Sequence, residues 1–265
     1  MNETFAGFGG TPLALHRVGS GRPVILLHGL FSSAEMNWLK FGHAATIAAQ
    51  GYEVLMPDLR AHGASAAAHD PAAYPPDVLV RDLAALVEHL ALTDYDLGGF
   101  SLGARTVLHA VAKGVVEPRR LVVAGMGVAG LDDWSRRAAF FIRVIDEFDT
   151  LPHGDPGWLA AQFLKSQKVD RVAARLLLGS ISDLPPGLLA SVDMPALVVC
   201  GDQDDDNGSS VELAERLPDA VHVEVPGTHM GSVARKELGI AIAGWLGPAS
   251  RLKALASGET GAHGR

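Results

Sequence analysis

Three features of the 265-residue sequence predict an α/β protein built on a mostly parallel sheet buried on both faces. Short, continuously apolar runs recur at Val24-Ile25-Leu26-Leu27, Leu121-Val122-Val123-Ala124 and Ala196-Leu197-Val198-Val199, as strands covered on both sides require. Helical patterns lie between them, the clearest carrying Leu79, Leu83, Leu86, Val87 and Leu90 on one face. The alternation implies right-handed crossovers, and 30 glycines suit the tight strand-to-helix turns it demands.

Taken in chain order, two half-apolar runs between Thr4 and Val18 flank Gly9-Gly10-Thr11-Pro12, the composition of a hairpin turn. The strand Val24 to Leu27 precedes a helix expected at 37–50, a strand at Tyr52 to Met56, the Leu79 to Leu90 helix and a strand at Tyr95 to Phe100. A helix at 102–113 then leads to the strand at Leu121. Beyond it the alternation stops. From Gly127 to about Ser191 helical patterns occur without a buried strand, and Trp134, Phe140, Phe141, Phe148, Trp158 and Phe163 concentrate there. The strand at Ala196, a helix at 209–217, a strand at Val221 to Val225 and a helix at 232–246 resume the pattern. The expected organisation is a core at 1–126 and 192–247, a helical insertion at 127–191, and a Gly-, Ala- and Ser-rich flexible tail at 248–265.

Composition excludes several classes of function. A hydrophobic fraction of 48% with 20% charged residues is that of a folded globular chain. The formal net charge of -8 and the lack of a basic stripe argue against nucleic-acid partners. The single cysteine, Cys200, lies in an apolar strand and has no disulfide partner in the chain. Met1 to Phe5 lacks the basic and apolar regions of a signal peptide, and no apolar run approaches the roughly 18 residues of a membrane span. A cytoplasmic protein with no membrane insertion is expected.

Gly99-Phe100-Ser101-Leu102-Gly103 follows a strand and opens a helix, the context a G-x-S-x-G nucleophile elbow needs. A lone serine before a helix is by default an N-cap; two flanking glycines point instead to a strained turn that lifts the hydroxyl above the sheet edge. Serine needs a base, and the base needs a third group to fix its tautomer. Gly201-Asp202-Gln203-Asp204-Asp205-Asp206-Asn207 and Pro226-Gly227-Thr228-His229 both follow strands, in the chain order Ser, Asp, His.

From about Pro23 to Leu246 the sequence resembles the α/β-hydrolase superfamily, in particular its compact bacterial esterase-like members with a helical cap. His28-Gly29 is similar to the oxyanion loop of that family, Asp58-Leu59-Arg60-Ala61-His62-Gly63-Ala64-Ser65 to its D-x-R-G-H-G-x-S turn, and Gly201 to Asp204 to its G-x-x-D acid. Ala61 and Ala104 depart from the pattern, at non-catalytic positions. The resemblance implies an α/β-hydrolase fold, with Ser101 as nucleophile, His229 as base and Asp204 as acid. It also implies an oxyanion hole made by the N–H groups of Leu102 and Leu30, with Phe31 as second choice for the latter and as a substrate-binding residue. His28 and His62 are expected to brace their turns.

Asp202, Asp205 and Asp206 rival Asp204, and an acid taken after an earlier strand would be Asp132 or Asp133. Asp202, Asp204 and Asp206 also alternate as in a calcium loop, but Asn207 stands where glycine is needed and Leu213 where a bidentate glutamate is needed. The expectation is a serine hydrolase that takes a small or medium carboxylic ester with an apolar group and uses no metal or cofactor. Carbon-carbon hydrolysis, cofactor-free perhydrolysis and a ligand receptor of the same fold remain alternatives. The oligomeric state is not legible.

Overall fold

The computed structural model describes residues 3–247. Its single sheet has eight strands: β1 (Glu3–Ala6), β2 (Pro12–Gly19), β3 (Arg22–Leu27), β4 (Tyr52–Pro57), β5 (Asp96–Phe100), β6 (Leu121–Ala124), β7 (Ala196–Gly201) and β8 (Ala220–Val225). Their order is β1-β2-β4-β3-β5-β6-β7-β8. β2 runs antiparallel to β1 and β4, and every other pairing is parallel. The chain leaves β3 for β4 on one side and returns to β5 on the other, so β3 and β5 flank a topological switch point, where open α/β sheets bind ligands.

Strand residues alternate between two cores. Ile25, Leu27, Leu97, Leu121, Val123 and Val198 face one layer, to which α2 (Val78–His89) and α3 (Leu102–Ala112) contribute Leu79, Leu83, Leu86, Val107, Leu108 and Val111. Val24, Leu26, Val122, Leu197 and Val199 face the other, closed by α1 (His43–Ala48) and α9 (Lys236–Leu246) through Ile47, Leu238, Ile242 and Trp245. This two-sided burial is what the continuous apolar runs predict.

Between β6 and β7 lie α4 (Trp134–Asp146), α5 (Trp158–Ser166) and α6 (Arg171–Leu178), with 3-10 turns at Val128–Gly130 and Pro186–Ser191 and no strand among the described residues. Arg105 of α3 ties down both ends of this excursion. Its guanidinium donates to the carbonyls of Gly130 at 2.5 Å and Ser182 at 2.6 Å and lies 4.9 Å over the Trp134 ring. Asp183 accepts from the Trp134 backbone N–H at 2.7 Å. Burial pushes Arg105 down to about 10, and its carbonyl partners hold the charge that solvent no longer does.

Two expected helices are each divided. The pattern at 37–50 splits into a π-helical turn at Glu35–Leu39 and α1, because Gly42 takes a left-handed φ of 78° between them. The pattern at 232–246 follows a separate turn, α8 (His229–Val233), where Arg235 turns extended before α9. The last remaining helix, α7 (Ser210–Arg216), is capped by Ser209. The tail expected at 248–265 lies outside the described residues. Among the described residues, no helix is long and apolar enough to cross a membrane.

Candidate active site

Ser101 stands between β5 and α3 with φ 54° and ψ -113°, a conformation that few L-residues adopt. Its N–H donates to the Ala124 carbonyl and its carbonyl accepts from Arg105, so sheet and helix together hold the turn. Both glycines of the elbow are sterically required. A Cβ on Gly99 would collide with the Gly103 carbonyl, and one on Gly103 with the Leu27 carbonyl.

Three side chains from three loops meet at this turn. His229, the first residue of α8, places Nε2 3.0 Å from the Ser101 Oγ. Its Nδ1 lies 2.9 and 3.1 Å from the two Asp204 carboxylate oxygens. The carboxylate is 1% exposed and the imidazole 12%. With Nδ1–H donated to Asp204, Nε2 is bare and faces the serine hydroxyl, the arrangement that can take its proton. The imidazole also packs on Phe100, ring centres 5.0 Å apart.

The loops after β7 and β8 are fastened to each other, which fixes the Asp204 to His229 distance. The Asp202 N–H donates to the Val225 carbonyl and the Gln203 N–H to the Gly227 carbonyl. The Gly227 N–H donates to the Asp202 carboxylate at 2.8 Å. Gly201 lies so close to Gly227 that a Cβ there would strike its carbonyl. Buried Asn207 ties the loop after β7 to the end of β6 by donating to the Gly125 carbonyl at 2.8 Å. Of the rival acids, Asp202 is thus a loop fastener rather than an idle surface group, and Asp205 and Asp206 are exposed. Asp132 is exposed too, and Asp133 pairs with Arg136 at 2.8 Å at the start of α4.

The loop after β3 is braced by two histidines that the sequence marks only as turn residues. His28 donates from Nδ1 to the Gly29 carbonyl and accepts the Leu59 N–H on Nε2. His62 donates from Nδ1 to the Arg60 carbonyl and accepts the Phe31 N–H on Nε2 at 2.9 Å. Asn37 and Asp58 accept the N–H groups of Gly29 and Ala34. Phe31 is therefore corrected as an alternative oxyanion donor, because its N–H is committed to His62. The Leu30 and Leu102 N–H groups have no acceptor among the described residues. The Phe31 side chain is buried edge-on against Phe141 of α4, 5.7 Å between ring centres. Ala61, where the family pattern has glycine, takes a left-handed φ of 67°, and burial of its methyl in the core offsets part of that strain.

Buried histidines held neutral make the fold acid-labile. Burial pushes His62 down to about 3 and His109 of α3 to about 4, and lowers His28 and His43 as well. The unfolded chain takes up these protons near the ordinary histidine value, so this stability is present above about 6.5 and is lost as pH falls toward the folded values. At about 1.4 kcal/mol per pH unit for each group, His62 and His109 together remove on the order of 5 kcal/mol between pH 6.5 and 4.5. Thermal melts from pH 7 to 4.5 should show a steep fall in Tm, and a flat profile would contradict the neutral assignment.

Asp204, Asp206 and His229 place potential metal-ligand atoms within 4.8 Å of one another. Two of the three are already hydrogen-bonded to each other, so an ion there would displace the contact that orients the imidazole.

Residues 22–142 match the sequence model of the alpha/beta hydrolase fold. An N-formylmaleamate deformylase of Pseudomonas putida is 31% identical over 112 residues, a match spanning 42% of this chain and 40% of that relative. Among solved structures, a thermophilic esterase from Thermogutta terrifontis superposes with a TM-score of 0.72 at 23% identity, covering 93% of this chain and 98% of the esterase. An enol-lactonase from Burkholderia xenovorans superposes with a TM-score of 0.69 at 20% identity, covering 95% of this chain and 100% of the lactonase. A bromoperoxidase from Bacillus anthracis gives 0.68 at 21% identity over 93% and 99%. The fold is the α/β-hydrolase fold. In this fold the candidate site stands over the C-terminal ends of β3, β5, β7 and β8, beside the switch point of the sheet.

Proposed function

We propose that this α/β-hydrolase is a serine hydrolase that cleaves a small or medium carboxylic ester through an acyl-enzyme, with Ser101 as nucleophile, His229 as general base and acid, and Asp204 as the orienting carboxylate. The observation that carries this reading is the hydrogen-bonded series from the Asp204 carboxylate through His229 to the Ser101 Oγ. As Oγ attacks the ester carbonyl, His229 Nε2 takes its proton, and Asp204 stabilises the imidazolium. The tetrahedral oxyanion is received by the Leu30 and Leu102 N–H groups, both without another acceptor among the described residues. His229 returns the proton to the leaving alcohol, then activates the water that releases the acid. The helices of 127–191 act as a cap over the site, and Phe31 and Phe141 line its apolar side.

The same triad can open other acyl bonds. The partial match to a deformylase favours an N-formyl amide as the second reading. The deciding experiment runs aryl esters of increasing acyl length beside an N-formyl amide and a carbon-carbon cleavage substrate, with fluorophosphonate labelling as the count of active sites. Turnover of short and medium esters in proportion to labelled protein is expected. Faster turnover of the formyl amide or the carbon-carbon substrate transfers the assignment to that reaction, and labelling with no turnover of any substrate favours a receptor.

A further inference from the structure

Helix α4 spans the site from the acid loop to the oxyanion loop. At one end Arg137 Nη1 donates to the Asp206 carbonyl at 3.0 Å, two residues beyond Asp204. One helical turn later Phe141 meets Phe31, the neighbour of Leu30. Ser101 and His229 stand between those two loops, so the face of α4 that carries Arg137 and Phe141 touches both flanks of the site, with a cationic end at one and an apolar end at the other. A guanidinium has five N–H donors, and this one has a single acceptor among the described residues, a backbone carbonyl.

Among the described residues no carboxylate pairs with Arg137. Asp204 is engaged by His229, and Asp206 presents its carbonyl while its own side chain stays exposed. Among the described residues, Arg81 and Arg235 also lack an ion pair, but both are exposed, whereas Arg137 is half-buried. Burial lowers its pKa, with the two nearby aspartates only partly opposing the effect. A cation withdrawn from water without a counter-ion is costly unless a ligand completes it, and the planar fork of arginine matches a carboxylate.

We propose that Arg137 binds a carboxylate of the substrate, so that the site prefers esters bearing an acid group on either the acyl or the alcohol side. The proposal rests on the serine-hydrolase reading above. Paired substrates test it: 4-nitrophenyl hydrogen succinate against its methyl ester for an acyl-side acid, and 4-acetoxybenzoate against its methyl ester for an alcohol-side acid. In at least one pair the anionic ester should have a KM about tenfold lower, and Arg137→Gln should raise that KM about tenfold while leaving kcat/KM for the neutral partner within about twofold. Arg137→Lys should restore part of the preference. A residue that merely braces the acid loop would lower both members of a pair together, and that result, or the absence of any anionic preference, overturns the proposal. If no ester turns over, the ester reading fails on its own and calorimetry decides this one. Succinate binding that Arg137→Gln abolishes upholds it, and no binding, or binding equal in both proteins, overturns it.

Discussion

Ser101→Ala is expected to lower kcat for an ester substrate by on the order of 10⁶ and to abolish fluorophosphonate labelling, because removing the nucleophile of a triad costs about as much as removing the whole unit. The substitution leaves the fold in place. The Ser101 Oγ hydrogen-bonds to His229 alone among the described residues, whereas the strained turn is held by backbone bonds to Ala124 and Arg105 and by the glycine contacts around it. Circular dichroism and Tm should match the wild type. A folded Ser101→Ala protein that still labels or turns over would remove Ser101 from the centre of the chemistry.

Asp204→Asn should lower kcat by about 10⁴, with the protein folded and substrate affinity little changed. The amide keeps the shape of the carboxylate but supplies an N–H toward His229 Nδ1, favouring the tautomer whose Nε2 carries a proton and cannot accept another. It also leaves the imidazolium without a countercharge in a place where the acid is 1% exposed. Asn at 205 or 206 should change kcat little, because those side chains face solvent. Asp202→Asn is intermediate in its logic: it weakens the clasp on the Gly227 N–H, so a modest loss of stability should exceed any loss of rate. The comparison is kcat and Tm for all four variants together with Asp132→Asn and Asp133→Asn. Near wild-type turnover in Asp204→Asn beside a collapse in any other would transfer the role of acid to that other residue.

Much of this was legible in the residues, and the physical reason is locality. Buried strands are continuous apolar runs, and the elbow carries both its glycines within five residues, although only the Gly99 clash, with Gly103, is local and Gly103 itself is kept bare by Leu27 of β3. The interruption between β6 and β7 shows itself as helical periodicity with no strand. The division at Gly42 was missed because a single left-handed glycine does not disturb the apolar spacing on either side. What spacing cannot reveal is which backbone donor a distant side chain captures. His62 and Phe31 are 31 residues apart, and their hydrogen bond decides which N–H of the loop after β3 stays free. Asp202 and Gly227 are likewise joined across 25 residues. Arg137 shows the same limit, since its want of a counter-ion is a property of the folded surroundings and not of the helix that bears it.

Arg105 grips the excursion between β6 and β7 through the carbonyl oxygens of Gly130 and Ser182, and a carbonyl is the same whatever side chain its residue bears. These two bonds are therefore indifferent to the side chains at 130 and 182, while the guanidinium is rooted one helical turn from the elbow, where the Arg105 backbone N–H donates to the Ser101 carbonyl. Substitutions at positions 130 and 182 can therefore leave the grip on the lobe, and the turn that carries Ser101, in place.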